Sequence, residues 1–235
     1  MKNSSSGFLF SLLKWFNRLL IYFLISSVAA VLILRFVPVL FTPLMFTRVV
    51  EQVIEGRNIK LSKEWKSLSE VSDYLPQAVV ASEDQLFLEH RGFDVASIKK
   101  AWQNNSKSKT KLKGASTISQ QVAKNVFLWQ GRSYLRKGFE AYFTVLIELF
   151  WSKQRIVEVY LNIVELGDGV YGVEAASQES FYKSAKNVSK SQAAMIAAVL
   201  PNPRKWSLKN PNAYIKKRQA WILRQMNNIG NVEWK

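Results

Sequence analysis

The hydrophobic pattern divides the chain into one uncharged run near the N-terminus and a body of shorter periodic segments. Residues 1–18 are polar and basic (Lys2, Lys14, Arg18), and Leu19–Leu34 follow without a charged side chain. A bilayer-spanning helix needs about 20 apolar residues. Arg18 and Arg35 can snorkel at the two ends and Phe36–Phe46 stays apolar, so residues 19–36 are read as a transmembrane anchor. Lys14 and Arg18 ahead of the span assign residues 1–18 to the cytoplasm and send the body to the other side. The competing reading is a cleaved signal peptide ending near Ser27-Val28-Ala29, but the hydrophobicity continues well past that site. Residues 37–75 form a membrane-proximal segment. Pro38 and Pro43 break a helix leaving the membrane, which places Phe36, Phe41, Met45 and Phe46 against lipid. Val49–Leu75 is weakly patterned, with Trp65 as a packing anchor.

Residues 76–235 read as a succession of helices. Pro76 starts a short apolar helix, Ala78–Ser82, that leads into Glu83. If that helix continues, Glu83, Phe87 and His90 share a face while Asp84 points about a hundred degrees away. Gly92 ends it, and Asp94 caps a helix over residues 95–103. The polar run 104–113, with four alternating lysines, is expected to be a loop, either a plain connector or a flap that screens an anionic substrate. Thr117 and Gln120 have capping-box spacing, so free amides at that helix start, with Lys124 nearby, are candidates to receive an anion. Ser133 caps Tyr134–Trp151, whose Leu135, Phe139, Tyr142, Leu146 and Leu149 are expected in the core. Arg136 and Glu140 then form an ordinary surface pair beside Lys137. Helices over Lys153–Val164 and up to Phe181 flank a turn at Gly167, Gly169 and Gly172. Ser189 and Gln192 cap Ala193–Leu200, and Pro201-Asn202-Pro203 stops it. Asn210-Pro211 opens the last helix, with Trp221, Leu223 and Met226 inside and Lys216, Lys217 and Arg218 outside. No alternating strand pattern intervenes, so the fold class is mainly α.

Composition then narrows the chemistry. The 235 residues contain no cysteine and one histidine, which rules out a Cys/His zinc site, a Cys nucleophile and a haem ligand pair. Carboxylates, hydroxyls, amides, Lys and Arg must do the work. The formal net charge is +16, and 48% of the residues are hydrophobic, too many for a disordered chain. Nucleic acid, anionic lipid and phosphate-bearing substrates all match such charge, and the anchor favours the last two. Against this basic background the stretch Glu83-Asp84 through His90, Gly92 and Asp94 gathers four acids and the lone histidine. A carboxylate among cations is a natural general base, whereas the plain alternative is a helix end with a solvated charged face.

Taken together, these motifs resemble the transglycosylase family that polymerises peptidoglycan, the glycosyltransferase module of bifunctional penicillin-binding proteins. The resemblance lies in E-D-x-x-F-x-x-H-x-G (Glu83, Asp84, Phe87, His90, Gly92), G-x-S-T-I-x-Q-Q-x-x-K-N (Gly114 to Asn125) and R-K-x-x-E (Arg136, Lys137, Glu140). It continues with I-x-E-x-Y-L-N (Ile156 to Asn162, with Val157 in place of the usual leucine), spaced glycines at Gly167 and Gly172, and L-P-x-P from Leu200. Five ordered motifs over about 120 residues are specific where one would not be. The chain looks like the monofunctional, single-anchor form of the Gram-negative inner membrane, with residues 76–235 as a periplasmic catalytic domain. The resemblance implies a lysozyme-like, two-lobed helical fold and lipid II with the nascent glycan chain as substrates, beside the bilayer and other cell wall synthesis proteins as partners and no nucleic acid. It implies Glu83 and Glu140 as catalytic residues, and Thr117, Gln121, Lys124, Asn125, Arg132 and Arg136 as substrate-binding. Asp84, Phe87, His90 and Gly92 are implied to shape the loop. Glu140 is also a candidate ligand for a divalent cation, Mg or Mn, and no organic cofactor is expected. A membrane-anchored lysozyme-like hydrolase and a noncatalytic basic scaffold are the alternatives.

Overall fold

The computed structural model describes residues 4–99, 103, 116–131 and 133–234. The polar run 104–113, Gly114, Ala115 and Arg132 lie outside the described residues. The chain separates into two units, Met1–Val37 and Pro38–Lys235.

The first unit is α1 (Ser4–Leu34), 31 residues long. Among the described residues it is the one helix long and apolar enough to cross a membrane, over Phe10–Leu34. Those 25 residues rise about 37 Å, more than the roughly 30 Å hydrocarbon core requires. Lys14 and Arg18, ahead of the uncharged run, belong to the same helix. Lys14 lies over the Phe10 ring at 4.3 Å and Arg18 over Trp15 at 5.6 Å, which places each cation against an aromatic face.

The second unit begins with a helix where weak patterning was expected. In α2 (Pro43–Ile54), Pro43 occupies the first turn and the Thr42 side chain accepts from the Met45 amide, so the proline, beyond the end of α1 at Leu34, starts a new helix. Met45 is fully buried there, while Phe41 and Phe46 are exposed. The next helix, α3 (Tyr74–Glu83), starts earlier than its proline suggested and ends at Glu83. Residues 95–99 are helical, with the Ser97 amide on Asp94 Oδ1 at 2.8 Å.

The remaining helices are α4 (Ile118–Phe127), α5 (Tyr134–Phe150), α6 (Lys153–Ile163), α7 (Val173–Phe181), α8 (Lys190–Val199) and α9 (Ala213–Ile229). Side-chain caps from Thr117, Ser133, Ser152, Ser189 and Asn212 satisfy the first amides of five of them. Asn212, two residues beyond the expected Asn210, caps α9. Packing divides the unit into two helix groups: α3, α8 and α9 pack on one another, and α4 packs on α5 and α6. The groups meet where α3 touches α6. Gln77 fastens the first group, donating to the carbonyls of Met226 and Gly230 at 2.8 and 2.6 Å.

Two faces differ from the periodic reading. On α5 the buried residues are Glu140, Phe143, Thr144 and Ile147. The expected core residues Leu135 and Leu149 are 68% and 69% exposed instead. The helix is rotated so that Glu140 enters the protein beside Phe143 and Ile147, while Leu135 and Leu149 stay outside. On α9 the buried stripe is Ile215, Ile222 and Met226, and Trp221 is exposed.

A small sheet accompanies the helices, where no strand pattern was expected. Ser62–Lys63 (β1), Glu165–Gly167 (β2) and Val170–Tyr171 (β3) form it in the order β1-β3-β2. β1 pairs with β3 in parallel, Ser62 opposite Val170, and β2 with β3 antiparallel. Strands of two or three residues are too short to show alternation. At the exit of the sheet Gly172 has φ +79°, and a Cβ there would stand 2.8 Å from the Asn162 carbonyl oxygen.

Candidate active site

Glu83 is the last residue of α3, and the chain departs from helical geometry at once: Asp84 has φ −160° and ψ 76°. The helix therefore does not continue through Phe87 and His90, and the common face expected for Glu83, Phe87 and His90 does not form. The two adjacent acids part company. Glu83 keeps some exposure, while Asp84 turns into the protein and is buried.

Three donors from three elements hold the Glu83 carboxylate. Ser82 Oγ donates to Oε1 at 2.9 Å, Arg218 Nη2 of α9 reaches the same oxygen at 3.4 Å, and Gln121 Nε2 of α4 donates to Oε2 at 3.2 Å. Gln121 in turn accepts from the Tyr160 hydroxyl of α6 at 3.2 Å. Arg218, expected outside with Lys216 and Lys217, points inward; it lies three residues after buried Ile215 and four before Ile222. That spacing puts it on the buried stripe, a signal present in the sequence but hidden by the basic run around it. Ser82 is not among the expected site residues, and Tyr160 figures in the sequence only as the tyrosine of I-x-E-x-Y-L-N, with no role attached to it.

Asp84 organises the loop behind the site. Its Oδ1 meets His90 Nε2 at 2.8 Å, and its Oδ2 accepts from the Ile118 amide, the first of α4, at 3.0 Å. The Gly92 amide donates to His90 Nδ1 at 3.1 Å, so Nε2 carries the imidazole proton that faces Asp84. This corrects the expectation of free amides at the start of α4: the anion received there is Asp84 itself. Thr117 and Gln120 complete the capping box, and the Thr117 hydroxyl donates to the Gly92 carbonyl at 2.7 Å, so Thr117 is buried and engaged within the protein. Phe87 is buried beneath Lys153, whose ammonium lies 4.3 Å from the ring centre and donates to the His90 carbonyl at 2.7 Å and to Glu148 at 2.8 Å. Gly92, with φ +86°, lets the loop pass against α5, where a Cβ would stand 2.7 Å from Thr144 Cγ2.

The second acid lies on the inner face of α5. Glu140 is 3% exposed, with Arg136 Nη1 on Oε2 at 2.9 Å and Lys137 Nζ on Oε1. The surface pair expected from spacing is thus a buried one. Lys124, one turn along α4 from Gln121, lies in the field of this cluster. Burial lowers its ammonium below the ordinary lysine value, Glu140 opposes that effect, and Arg136 and Lys137 add to it. Asn125, next along α4, is buried. A cavity of about 420 Å³ opens over Ser133, Tyr134, Arg136 and Lys137. α4 therefore links the two acids, with Gln121 on Glu83 and Lys124 beside Glu140.

These residues do not by themselves make a metal centre. Among the described residues no group of three His, Cys, Asp or Glu side chains could hold an ion. Both Glu140 oxygens are already paired with cations, and a divalent ion there would meet Arg136, Lys137 and Lys124 at close range.

The helical body thus carries a carboxylate fixed by donors from three elements and, along α4 from it, a cation-lined cavity. Residues 50–227 match the transglycosylase family, and the chain belongs to it. The family's domain is lysozyme-like and helical. The chain is 52% identical over 218 residues to the biosynthetic peptidoglycan transglycosylase of Pseudomonas fluorescens strain Pf0-1, covering 93% of this chain and 90% of that protein. The proteins of the same name from Stutzerimonas stutzeri and Bacteroides thetaiotaomicron are each 52% identical to it as well. The first match covers 95% of this chain and 92% of its relative, the second 93% and 88%.

Proposed function

We propose that the protein is a peptidoglycan glycosyltransferase that polymerises lipid II into β-1,4-linked glycan strands and releases undecaprenyl pyrophosphate. The observation that carries this reading is the Glu83 carboxylate, oriented by Ser82, Gln121 and Arg218 at the end of α3. A sugar hydroxyl attacks only as its proton leaves, so a fixed carboxylate acting on the acceptor's 4-hydroxyl is the general base. The donor is a glycan chain α-linked to a lipid pyrophosphate. Attack from the opposite face forms the β linkage, inverts the anomeric carbon and expels the pyrophosphate with its negative charge.

Lys124 and Arg136 supply positive charge for that leaving group, together with Arg132 by family likeness. Glu140 holds Arg136 and Lys137 in place and keeps the cations from repelling one another apart. Gln121 and Asn125 lie on the same helix between the two acids, on the donor side. Asp84, Phe87, His90 and Gly92 shape the loop that presents Glu83. α1 anchors the chain in the bacterial inner membrane, with residues 1–18 cytoplasmic and the catalytic domain, residues 76–235, periplasmic. Lipid II, the growing glycan and the bilayer are its partners, along with other cell wall synthesis proteins.

Purified full-length protein in detergent, given lipid II, is expected to make long glycan chains, and Glu83→Gln almost none. A wild-type protein that shortened preformed glycan and left lipid II untouched would refute the transferase reading and establish the hydrolase.

A further inference from the structure

Glu83 lies where its own helix stops, so the direction of its carboxylate depends on other elements. One restraint, from Gln121, hinges on which end of an amide faces it. Gln121 Nε2 donates to Glu83 Oε2 and Gln121 Oε1 accepts from the Tyr160 hydroxyl, both at 3.2 Å. An ionised carboxylate only accepts, an amide NH₂ only donates and an amide oxygen only accepts. The reverse orientation would press the Gln121 oxygen against the Glu83 carboxylate and lose the restraint.

We propose that Tyr160 is a positioning residue for the transfer reaction: the Glu83 carboxylate selects the NH₂ end of the Gln121 amide, and the Tyr160 hydroxyl, donating to the other end, holds that amide against Glu83. This rests on the reading of Glu83 as general base. Tyr160 is 0% exposed, and burial, reinforced by the negative charge of Glu83, raises its phenol well above the ordinary tyrosine value. The hydroxyl therefore keeps its proton and remains a donor. The core itself needs only the ring: phenylalanine would fill the same space on α6 between Val159 and Leu161, both buried. What the hydroxyl adds is a second anchor for the amide that holds the carboxylate meeting the acceptor sugar. Held this way, Oε2 has one fixed donor and a lone pair left for the incoming hydroxyl.

A double-mutant cycle tests the coupling. Full-length wild type, Tyr160→Phe, Gln121→Ala, the double variant and Glu83→Gln are compared in lipid II polymerisation, with melting temperature as the check on folding. Tyr160→Phe is expected to lower kcat roughly three- to tenfold, as fits the loss of one hydrogen bond, with KM for lipid II and the melting temperature unchanged. Gln121→Ala should lower kcat at least as far, and the double variant should be no worse than Gln121→Ala alone. Wild-type kcat in Tyr160→Phe, a loss confined to KM, or losses that multiply in the double variant would overturn the proposal. If Glu83→Gln is inactive while the two losses multiply, the base assignment stands and only the Tyr160 coupling falls. If Glu83→Gln retains wild-type kcat, the base assignment fails and the proposal fails with it.

Discussion

Adjacent residues in this chain do opposite things because the backbone turns between them. Glu83 closes a helix and keeps some exposure, and Asp84, one residue on, is buried as the anchor of α4 and His90. Gly92 is the hinge of the same loop. An alanine at φ +86° would be strained, and its Cβ would overlap Thr144 Cγ2 and crowd Glu148 Cγ. Gly92→Ala is therefore expected to destabilise the folded protein by about 3 kcal/mol and to lower activity through misplacement of the Glu83 loop. Denaturant unfolding checks it, and an unchanged midpoint would mean that α5 yields to the added methyl. The sequence separates Glu83 from Asp84 on the premise of a continuing helix, which does not form, and it leaves their partners unmarked. Arg218 is 135 positions from Glu83, and Tyr160 reaches it only through Gln121.

At the scale of elements, α5 is the clearest case of competing demands. Two of its leucines, Leu135 and Leu149, face outward, and Glu140 faces in beside Phe143 and Ile147. Leaving large apolar groups exposed on a helix has a physical use where lipid replaces water, since burying a leucine side chain contributes about 2 kcal/mol. The outward face of α5 is thus expected to contact the bilayer surface. Because the chain has no cysteine, a single Leu149→Cys variant can carry a polarity-sensitive fluorophore after reconstitution into liposomes. Its emission should be that of a lipid environment, whereas the same probe at Lys217 on α9 reports water. Aqueous emission from both positions would remove the membrane role of this face.

For the whole molecule, charge and the long N-terminal helix act together. A net charge of +16 favours an anionic membrane surface and an anionic substrate, and by the positive-inside rule the basic residues before the apolar run are expected to set orientation. Single cysteines at Ser5 and at Asn231 make the topology measurable in cells with a permeabilised outer membrane. A membrane-impermeant maleimide should label position 231 and spare position 5. The opposite pattern would place the catalytic unit in the cytoplasm, away from any periplasmic glycan.

The sequence by itself determined what is local: the α1 run, the caps at Thr117, Ser133 and Ser189, the mainly helical class, and the residue types able to do the chemistry. These depend on neighbours within a turn or two, where periodicity and hydrogen-bonding capacity are written in the order of side chains. The tertiary structure decided which face of α5 is buried, which cation reaches Glu83, where the free amides of α4 find their anion, and that two-residue strands pair at all. Each of those depends on groups far apart in the chain meeting in a low-dielectric interior. There, an unpaired carboxylate or amide costs more than an exposed leucine, so satisfying the polar groups overrides the apolar stripe.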